Sequence, residues 1–567
     1  MPGLLEAHPW IRSYPEGVSW EIAPPREPLF AALERAAARF PDRPAIDFLG
    51  RIHSYRELAA LVARVARGLR DLGVARGTRV ALLLPNCSWF VAAYYGILRA
   101  GGTVVCINPL YTEEEIARQL EDAGARLLFT MDLHLLLPKA VALARRGMID
   151  RILLCSMSAA LPPPMGLLFR IFRRRERAEP PADVPVTTFE ELADNAGAPP
   201  DPGLDPAADL AALQYTGGTT GIPKGAMLTH GNLVANREQV IAWDPEVVPG
   251  GERILGVLPL FHIFAMTAVM NLALGIGATM ILLPRFQLQQ LLRVIAKKRP
   301  TLFPVVPSLL AALIDAPGLR RHDLTSLRFC ISGGAPLPIE VKERFEAITG
   351  CTVVEGYGLT EAAPVVTCNP PTGRIKAGSI GLPIPGTVVE IRDLEDPARR
   401  LAVGEKGEIC VRGPQVMKGY WKRPAETREV FVDGALRTGD VGFMDEEGYV
   451  YLVDRIKDLI LVRGYNVYPR VIEEAIHAHP AVAEVTVIGL PDPGRGQIPK
   501  AFVRLREGAA LSAPELLEFL RPRLSPIEMP REIEFRRELP KTMVGKLSKK
   551  ELLAEELQRR RAQGGSA

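Results

Sequence analysis

The sequence predicts an α/β protein built around a parallel sheet with helices on both faces. Short apolar strands alternate with helix-length segments, and glycine or proline residues separate them. Most of the predicted strands are apolar at nearly every position, as expected of strands covered on both faces. The chain has 567 residues, 47% of them hydrophobic, so it is long enough for more than one domain.

The predicted elements fall into two α/β regions followed by a β region. The first α/β region has helices and strands at 29–40, 55–72, 79–84, 91–99 and 103–107. The second has them at 288–298, 301–306, 309–316, 327–332, 339–349 and 352–355. Beyond residue 378 the sequence pattern changes to that of short strands separated by glycine turns, with strands predicted at 388–393, 407–412 and 448–452. We expect a smaller β subdomain there.

A domain boundary is predicted after residue 454, which gives a large domain 1–454 and a small α+β domain 455–567. The small domain opens with a helix over 469–479, whose first position is a proline, as helix starts favour. Strands are expected at 482–488, 500–505 and 532–536, with a helix at 514–521. About 110 residues suit a compact, mobile lid.

Two segments depart from this pattern. No charged residue occurs between Arg253 and Arg285, but glycines at 275 and 277 divide the stretch, so a buried helix and a core strand are expected rather than a membrane span. Residues 156–206 are proline-rich and are interpreted as a surface excursion. Within them, 164–177 is apolar and then basic. An ordinary charged helix end is the favoured interpretation, and contact with an anionic membrane surface is the alternative.

Charge and cysteine content restrict the functional class. The formal net charge of +4 is small for this length and no dense basic stripe occurs, which argues against a nucleic-acid binder. The seven cysteines are scattered without a C-x-x-C pair, as expected of buried free thiols in a reducing compartment. The N-terminus lacks the layout of a signal peptide. We expect a cytoplasmic protein, with peripheral contact at the inner face of the membrane as an open alternative.

The segment YTGGTTGIPKG at 215–225 predicts a phosphate-binding loop. Its glycines let backbone N–H groups approach an anion, its hydroxyls add donors, and its lysine adds a positive charge. It is not a Walker loop, because a proline precedes the lysine and a glycine follows it. A Gly/Thr surface hairpin is the alternative. The candidate phosphate ligands are Thr216, Gly217, Gly218, Thr219, Thr220, Gly221 and Lys224.

This loop closely resembles the phosphate-binding signature of the adenylate-forming enzymes, which include acyl-CoA synthetases, luciferases and peptide-synthetase adenylation domains. That family activates a carboxylate with ATP and passes the acyl group to a thiol. Further family signatures occur in order along almost the whole chain. Similarity to bacterial long-chain fatty-acyl-CoA synthetases extends to Pro85, Asn86 and residues 108–112.

The resemblance implies roles for the segment GGA at 333–335 and for EGYGLTE at 355–361. Tyr357 would stack on adenine, Thr360 would contact the α-phosphate, and Glu361 would hold Mg²⁺ together with Thr216. The remaining nucleotide contacts implied here are Gly334, Ala335, Glu355, Gly356 and Gly358.

Further roles are implied nearer the C-terminus. Asp440 would accept hydrogen bonds from the ribose hydroxyls, as suits an acceptor-only carboxylate. Arg455 would reach the ribose or the phosphates. Lys546 would bridge the carboxylate and the α-phosphate, where a cation offsets the repulsion between two anions. Lys457 would serve as the hinge about which the small domain rotates. The acyl and pantetheine path would be lined by His262, Arg463, Gly464 and Asn466.

The function expected from this resemblance has two steps. ATP, Mg²⁺ and a medium- or long-chain fatty acid give acyl-adenylate and pyrophosphate, and CoA then displaces AMP. A diffusible acceptor is expected because only 21 residues follow Lys546, too few for a fused carrier domain. An acyl-AMP ligase that loads a separate carrier protein, a luciferase-like oxygenase and an inactive binding protein are the alternatives. No nucleic-acid partner is expected, and a homodimer stays open.

Overall fold

The computed structural model describes residues 8–216, 223–463, 465–492, 494–541 and 547–564, with side chains up to residue 560. The chain divides into two compact units. The first comprises Met1–Val388 and Val411–Leu436, and the second comprises Val389–Cys410 and Arg437–Ala567. The mixed α/β architecture with parallel sheets confirms the predicted fold class.

The first unit contains a seven-stranded sheet that leads into the predicted phosphate loop. Its first six strands are parallel, and the last is antiparallel to its neighbour. In spatial order, the strands are Val186–Thr188, Arg151–Cys155, Leu127–Met131, Arg79–Leu82, Thr103–Cys106, Leu210–Thr216 and Lys224–Thr229. The short apolar runs before residue 110 were therefore predicted correctly as neighbouring parallel strands.

A second sheet of the same unit has nine strands, with six parallel strands between antiparallel edges. In spatial order, its strands are Leu382–Pro383, Val365–Cys368, Thr352–Gly358, Phe329–Ser332, Leu302–Val305, Arg253–Gly256, Thr279–Leu282, Pro44–Phe48 and Arg51–Ser54. Apolar residues such as Leu255, Phe303 and Val353 pack with helix residues such as Leu291 and Leu310 to form its core.

Helices connect and cover these strands. The α-helices of four or more residues in the first unit are Ala31–Arg39, Tyr55–Asp71, Ser88–Arg99, Glu113–Ala123, Leu137–Arg145, Met157–Ala160, Pro163–Phe172, Phe189–Leu192, His230–Trp243, Leu272–Ile276, Leu288–Lys298, Pro307–Ile314, Ile339–Thr349 and Pro424–Glu429. Several begin with reciprocal capping boxes, for example Ser54 with Glu57 and Thr112 with Glu115.

The two unusual segments have different outcomes. The uncharged stretch after Arg253 forms a buried helical segment, including a π-helical turn at Met266–Asn271, and then the core strand Thr279–Leu282, as predicted. No described helix is long and apolar enough to span a bilayer. The interpretation of 156–206 as a surface excursion is wrong at Val186–Thr188, which pairs with Arg151–Cys155 at the edge of the sheet.

The second unit contains two sheets. Their described pairings within this unit are antiparallel, except that Glu532–Phe535 runs parallel to Gly496–Leu505. One sheet uses Val388–Arg392, Gly407–Arg412, Ala435–Met444 and Val450–Arg455. The other has the order Tyr465–Val467, Ile460–Val462, Gly496–Leu505 and Val482–Asp492, with Glu532–Phe535 paired to Gly496–Leu505. The α-helices of this unit are Pro469–His477, Ala513–Leu520 and Lys549–Gly564. The predicted boundary after residue 454 stays a prediction.

Candidate active site

The entrance to the predicted phosphate loop is an antiparallel strand pair. Strands Leu210–Thr216 and Lys224–Thr229 place Thr216 directly opposite Lys224, and the Thr216 hydroxyl donates to the Lys224 carbonyl at 3.5 Å. Both residues are half-buried. The loop residues Gly217, Gly218, Thr219, Thr220 and Gly221 lie outside the described residues. The structure therefore places the two ends of the loop side by side.

Asp122 anchors this strand pair. Its carboxylate accepts a hydrogen bond from the Tyr215 hydroxyl at 2.7 Å and pairs with Arg423 at 3.2 Å. Its backbone carbonyl accepts from the Trp421 indole N–H at 3.0 Å, and the Trp421 backbone N–H donates to the Gly225 carbonyl at 2.8 Å. One carboxylate thus joins the strand before the loop to the segment around Trp421.

The neighbouring residue, Tyr420, connects two predicted site residues. The Lys224 ammonium lies 5.3 Å from the centre of the Tyr420 ring, within the range of a cation–π contact. The Tyr420 hydroxyl donates to Glu361 Oε1 at 2.7 Å. Burial, and then the negative charge of Glu361, raise the pKa of Tyr420, so the phenol keeps its proton and stays a donor. Lys224, Tyr420 and Glu361 form one array of side chains.

Glu361 lies in the short 3-10 turn Thr360–Ala362, just after strand Thr352–Gly358. Its backbone carbonyl accepts from the Met417 N–H at 2.8 Å, which adds a second connection to the segment that carries Tyr420. The turn is also held from the π-helical segment, because the Thr267 hydroxyl donates to the Ala363 carbonyl at 2.8 Å. The backbone of Glu361 is therefore fixed from two directions.

The GGA segment and the end of strand Thr352–Gly358 lie together through Glu355. Its buried carboxylate accepts from the Leu337 N–H at 3.1 Å, which holds the loop that contains Gly334 and Ala335. Gly334 has a φ of +83°, a left-handed conformation that favours glycine. Tyr357, also buried, is paired with Thr367 on the adjacent strand.

His262 lies on a segment that is connected to the strand before the phosphate loop. The Gln214 amide donates to the Phe261 carbonyl at 2.7 Å. The His262 Nδ1 atom accepts from the Phe264 N–H at 3.3 Å and so caps the helix that follows. Asn86, from the Pro85-Asn86 pair, donates to the Leu258 carbonyl at 2.8 Å. This network positions His262 beside the loop strand.

The second unit brings together its own site residues. Strand pairing places Asp440 opposite Arg455, and the Arg455 guanidinium meets the buried Asp440 carboxylate at 3.1 Å. Glu408 supports the turn before Asp440, because its carboxylate accepts from the Gly439 N–H at 3.0 Å and pairs with Arg437 at 2.8 Å. The predicted nucleotide ligands Asp440 and Arg455 are thus in direct contact.

Lys457 follows in the 3-10 turn Ile456–Asp458. Partial burial of the amino group, and then the positive charge of Arg455, lower the pKa of Lys457. Arg463 and Asn466 lie exposed at the hairpin formed by Ile460–Val462 and Tyr465–Val467, while Gly464 lies outside the described residues.

Lys546 also lies outside the described residues. The residues on either side of it are held together, because Lys541 and Leu547 form an antiparallel bridge and the Ser548 N–H donates to the Pro540 carbonyl at 2.8 Å. The helix that follows, Lys549–Gly564, is anchored by an ion pair of 2.9 Å between the buried Lys500 and Glu556. The described residues that flank this segment are therefore held close to each other.

The donor set near the loop suits Mg²⁺ held chiefly by phosphates. Within the described residues, no cluster of three or more His, Cys, Asp or Glu side chains forms a metal cage. Glu361 supplies one carboxylate beside the loop and Thr216 one hydroxyl. Mg²⁺ in phosphate-transfer sites commonly uses one or two protein oxygens and takes its other ligands from phosphates and water. The residues present therefore fit this ion.

Comparison with known proteins identifies the family. Residues 33–421 match the AMP-binding enzyme model, and residues 471–546 match the model of the AMP-binding enzyme C-terminal domain. The chain belongs to the AMP-binding enzyme family. The resemblance inferred from the phosphate loop is thus confirmed. Both matched regions include predicted site residues, with Lys546 at the end of the second.

Named relatives of this AMP-binding enzyme cover nearly its whole length. A long-chain-fatty-acid–CoA ligase of Bacillus subtilis is 45% identical over 97% of the chain and 98% of its own length. One from Salmonella typhimurium is 40% identical over 96% and 97%. The ATP-bound crystal structure of MatB from Rhodopseudomonas palustris is 31% identical, with a TM-score of 0.78, and covers 93% of this chain and 98% of its own.

Sequence reasoning did not find Tyr420. It lies 59 residues after Glu361, in a segment without helical or strand periodicity. The GYW segment at 419–421 was the available signal, because aromatic residues beside glycine in a loop often contribute to a site.

Proposed function

We propose that this AMP-binding enzyme is a long-chain-fatty-acid–CoA ligase. It would use ATP and Mg²⁺ to convert a medium- or long-chain fatty acid into an acyl-adenylate with release of pyrophosphate. CoA would then attack the acyl carbon, forming the thioester and releasing AMP. The observation that carries the ATP-dependent activation of a carboxylate is the array of Lys224, Tyr420 and Glu361 beside the phosphate loop, in a chain of this family.

In the adenylation step, the first unit would hold the triphosphate. Lys224 would neutralise phosphate charge, and Glu361 would hold Mg²⁺, with Thr216 at the loop entrance. Mg²⁺, when bound, would neutralise phosphate oxygens. Tyr420 would act as a positioning residue, because its hydroxyl orients the Glu361 carboxylate. Tyr357 and Thr360 would contact the adenine and the α-phosphate, respectively. Gly334, Ala335, Glu355, Gly356 and Gly358 would complete the nucleotide pocket.

The second unit would supply the remaining groups. Asp440 would accept hydrogen bonds from the ribose hydroxyls, and Arg455, which pairs with Asp440, would reach the ribose or the phosphates. Lys546 would stabilise the negative charge that develops as the carboxylate oxygen attacks the α-phosphorus. Lys457 would act as the hinge between the two steps, and domains 1–454 and 455–567 would be the bodies that it joins. Arg463, Gly464 and Asn466, with His262, would line the path for CoA and the acyl group.

The fatty-acid and CoA assignments are supported by the relatives. The two bacterial enzymes with 45% and 40% identity are both named long-chain-fatty-acid–CoA ligases. The array around Lys224 serves any carboxylate and therefore does not select the acid. We also propose a cytoplasmic protein with peripheral contact at the inner face of the membrane, and a homodimer remains a prediction.

The test is product analysis by mass spectrometry. The purified enzyme is incubated with ATP, Mg²⁺, CoA and a series of saturated fatty acids of increasing length. We expect acyl-CoA and AMP in equal amounts, with the greatest yield from a medium or long chain. The variant Lys224→Met is the matched control and should give little product. Pyrophosphate release without acyl-CoA would instead support the alternative of an enzyme that loads a separate carrier protein.

A further inference from the structure

The helix Pro163–Phe172 carries an unusual concentration of exposed apolar side chains. Met165, Leu167, Leu168, Ile171 and Phe172 are between 46% and 75% exposed. At 100° per residue, these five positions cover one continuous arc of about 160° on the helix. An apolar face of this kind on the surface of a protein usually marks a contact with a partner or a membrane.

The opposite side of the same helix packs on the protein. Gly166 is buried, and a Cβ atom at that position would lie 2.3 Å from the Ser158 carbonyl oxygen. Only glycine permits this close approach between the helix and the preceding residues. The close packing sets the rotation of the helix, so its apolar arc is turned outward by the fold.

A basic cluster continues directly from the apolar arc. Residues 163–177 contain five arginines and one glutamate, a net charge of +4 that equals the formal charge of the entire chain. Arg173 pairs with Glu176 at 2.7 Å. Within the described part of the chain, Arg170, Arg174 and Arg175 form no ion pair, and all three are exposed. Their charges are available to a partner.

The end of this segment is fixed to the sheet. Arg177 pairs with Asp132 at 3.6 Å and bridges to Leu133, and the Ala178 N–H donates to the Asp132 carbonyl at 3.1 Å. In the sequence, the segment lies between Arg151–Cys155 and Val186–Thr188, the second strand and the edge strand on one side of the sheet that leads to the phosphate loop. The helix and its arginines are thus a structured projection from the first unit.

We propose that residues 163–177 form a docking surface for an anionic lipid bilayer. The apolar arc inserts among the acyl chains near the headgroups, and the arginines bind anionic headgroups. A second copy of the chain is a poor occupant, because two surfaces with a charge of +4 repel each other. The favoured interpretation from sequence, an ordinary charged helix end, does not account for five exposed apolar side chains.

The purpose of this docking surface rests on the proposed function. Binding to a bilayer depends on the surface alone and is tested without reference to that function. Long-chain fatty acids partition into bilayers because each buried CH₂ group is stabilised there. A ligase docked at the bilayer would take its substrate directly from the lipid phase. The binding itself needs neither ATP nor CoA, so it can be measured separately from catalysis.

The experiment is vesicle flotation of the full-length protein without substrates. One set of vesicles is phosphatidylcholine alone, and in the other a third of the lipid is phosphatidylglycerol. We expect the affinity for anionic vesicles to be at least about tenfold higher and to fall with added salt. Equal binding to both, or binding to neither, would overturn the proposal.

Two double variants and two controls locate the surface. Ile171→Ser with Phe172→Ser should lower the affinity about tenfold or more by removing apolar area, and Arg174→Gln with Arg175→Gln should do so by removing charge. The controls are Val248→Ser, at a position 58% exposed, and Arg320→Gln with Arg321→Gln, which removes the same charge elsewhere. Controls that lose binding as strongly as the test variants would refute the location.

Sedimentation velocity and a soluble polyanion test the other occupants. A dimer that disappears in the Ile171→Ser, Phe172→Ser variant would assign the surface to a second copy and overturn the proposal. Binding of polyglutamate with no binding of vesicles would assign it to an acidic polypeptide and also overturn it. Thermal melting checks that each variant is folded. Vesicle binding by a protein that activates no acid would contradict the proposed function and leave the docking surface intact.

Discussion

The hydrogen bond from Tyr420 to Glu361 makes a specific prediction about Mg²⁺ and ATP. Tyr420→Phe removes only the hydroxyl that donates to Glu361 at 2.7 Å. The ring stays in place, so its contact with the Lys224 ammonium at 5.3 Å is kept. Any loss of activity in this variant therefore reports on the orientation of Glu361.

The magnitude follows from the type of bond. A hydrogen bond to a charged group contributes about 1.5–3 kcal/mol. Glu361 is only partly buried, so water replaces some of that interaction and the lower end of the range applies. We expect about a tenfold loss of apparent Mg²⁺ affinity, which is also the lower end of the effect seen when a residue that orients a metal ligand is removed.

The assay is acid-dependent exchange of labelled pyrophosphate into ATP, measured at a series of Mg²⁺ concentrations. Tyr111→Phe is the matched control, since the same hydroxyl is removed from a half-buried tyrosine distant in sequence from the loop. The double variant with Glu361→Gln should be no worse than Glu361→Gln alone. The positioning role would be refuted if the loss in the double variant equalled the sum of the losses in the two single variants to within about 0.5 kcal/mol. An unchanged Mg²⁺ dependence in Tyr420→Phe would refute it as well.

Three further predictions concern other parts of the molecule. Asp440→Asn loses its ion pair with Arg455 and should raise the KM for ATP about tenfold or more; an unchanged KM would contradict its ribose role. Lys546→Ala should abolish adenylate formation but retain thioester formation from supplied acyl-adenylate; equal loss of both steps would contradict its assignment. Burial lowers the pKa of His230 to about 4, and its Nδ1 accepts from the Leu29 N–H at 3.1 Å. In the unfolded chain the pKa of this histidine has its higher, ordinary value, so the unfolded state binds more protons as the pH falls. The free energy of unfolding, measured by urea unfolding, should therefore fall by about 2 kcal/mol more between pH 7 and pH 5 in the wild type than in His230→Gln. If the free energies of unfolding of the wild type and of His230→Gln change in parallel with pH, this pKa assignment is contradicted.

Helix and strand positions were predicted well where the apolar pattern was strong. The helices predicted at 288–298 and 339–349 have the bounds Leu288–Lys298 and Ile339–Thr349. The strand predicted to end at Glu355 continues to Gly358, because its last residues pair with Val365–Cys368 on the next strand. Pairing of this kind depends on a distant segment, so local sequence patterns do not reveal it.

The short strand Val186–Thr188 illustrates a second limit. It has three half-buried residues and no alternation of polar and apolar residues long enough to detect. Its partner strand, Arg151–Cys155, is separated from it in the sequence by the helix Pro163–Phe172. The helix Pro163–Phe172 belongs to the segment 156–206, which the sequence predicted to lie at the surface. The sequence did not show that five apolar side chains of this helix are exposed along one face, because that orientation depends on the close contact of Gly166 with Ser158.

The residues of the candidate site also fall into a group that the sequence predicted and a group that it did not. Motif resemblance predicted Lys224, Glu361 and Asp440, and the structure places Lys224 and Glu361 around Tyr420 and Asp440 against Arg455. The supporting residues were not predictable, since Asp122, Glu408 and Tyr420 act through contacts with residues far away in sequence. Such residues carry no signature of their own and become visible only in the fold.

The central claim is that this chain activates a fatty acid as its adenylate. The most direct measurement is exchange of labelled pyrophosphate into ATP in the absence of CoA, with and without a long-chain fatty acid. We predict exchange that requires both Mg²⁺ and the acid and that is lost in Lys224→Met. If no carboxylic acid of any length or type supports exchange by the folded wild-type protein, the account is contradicted.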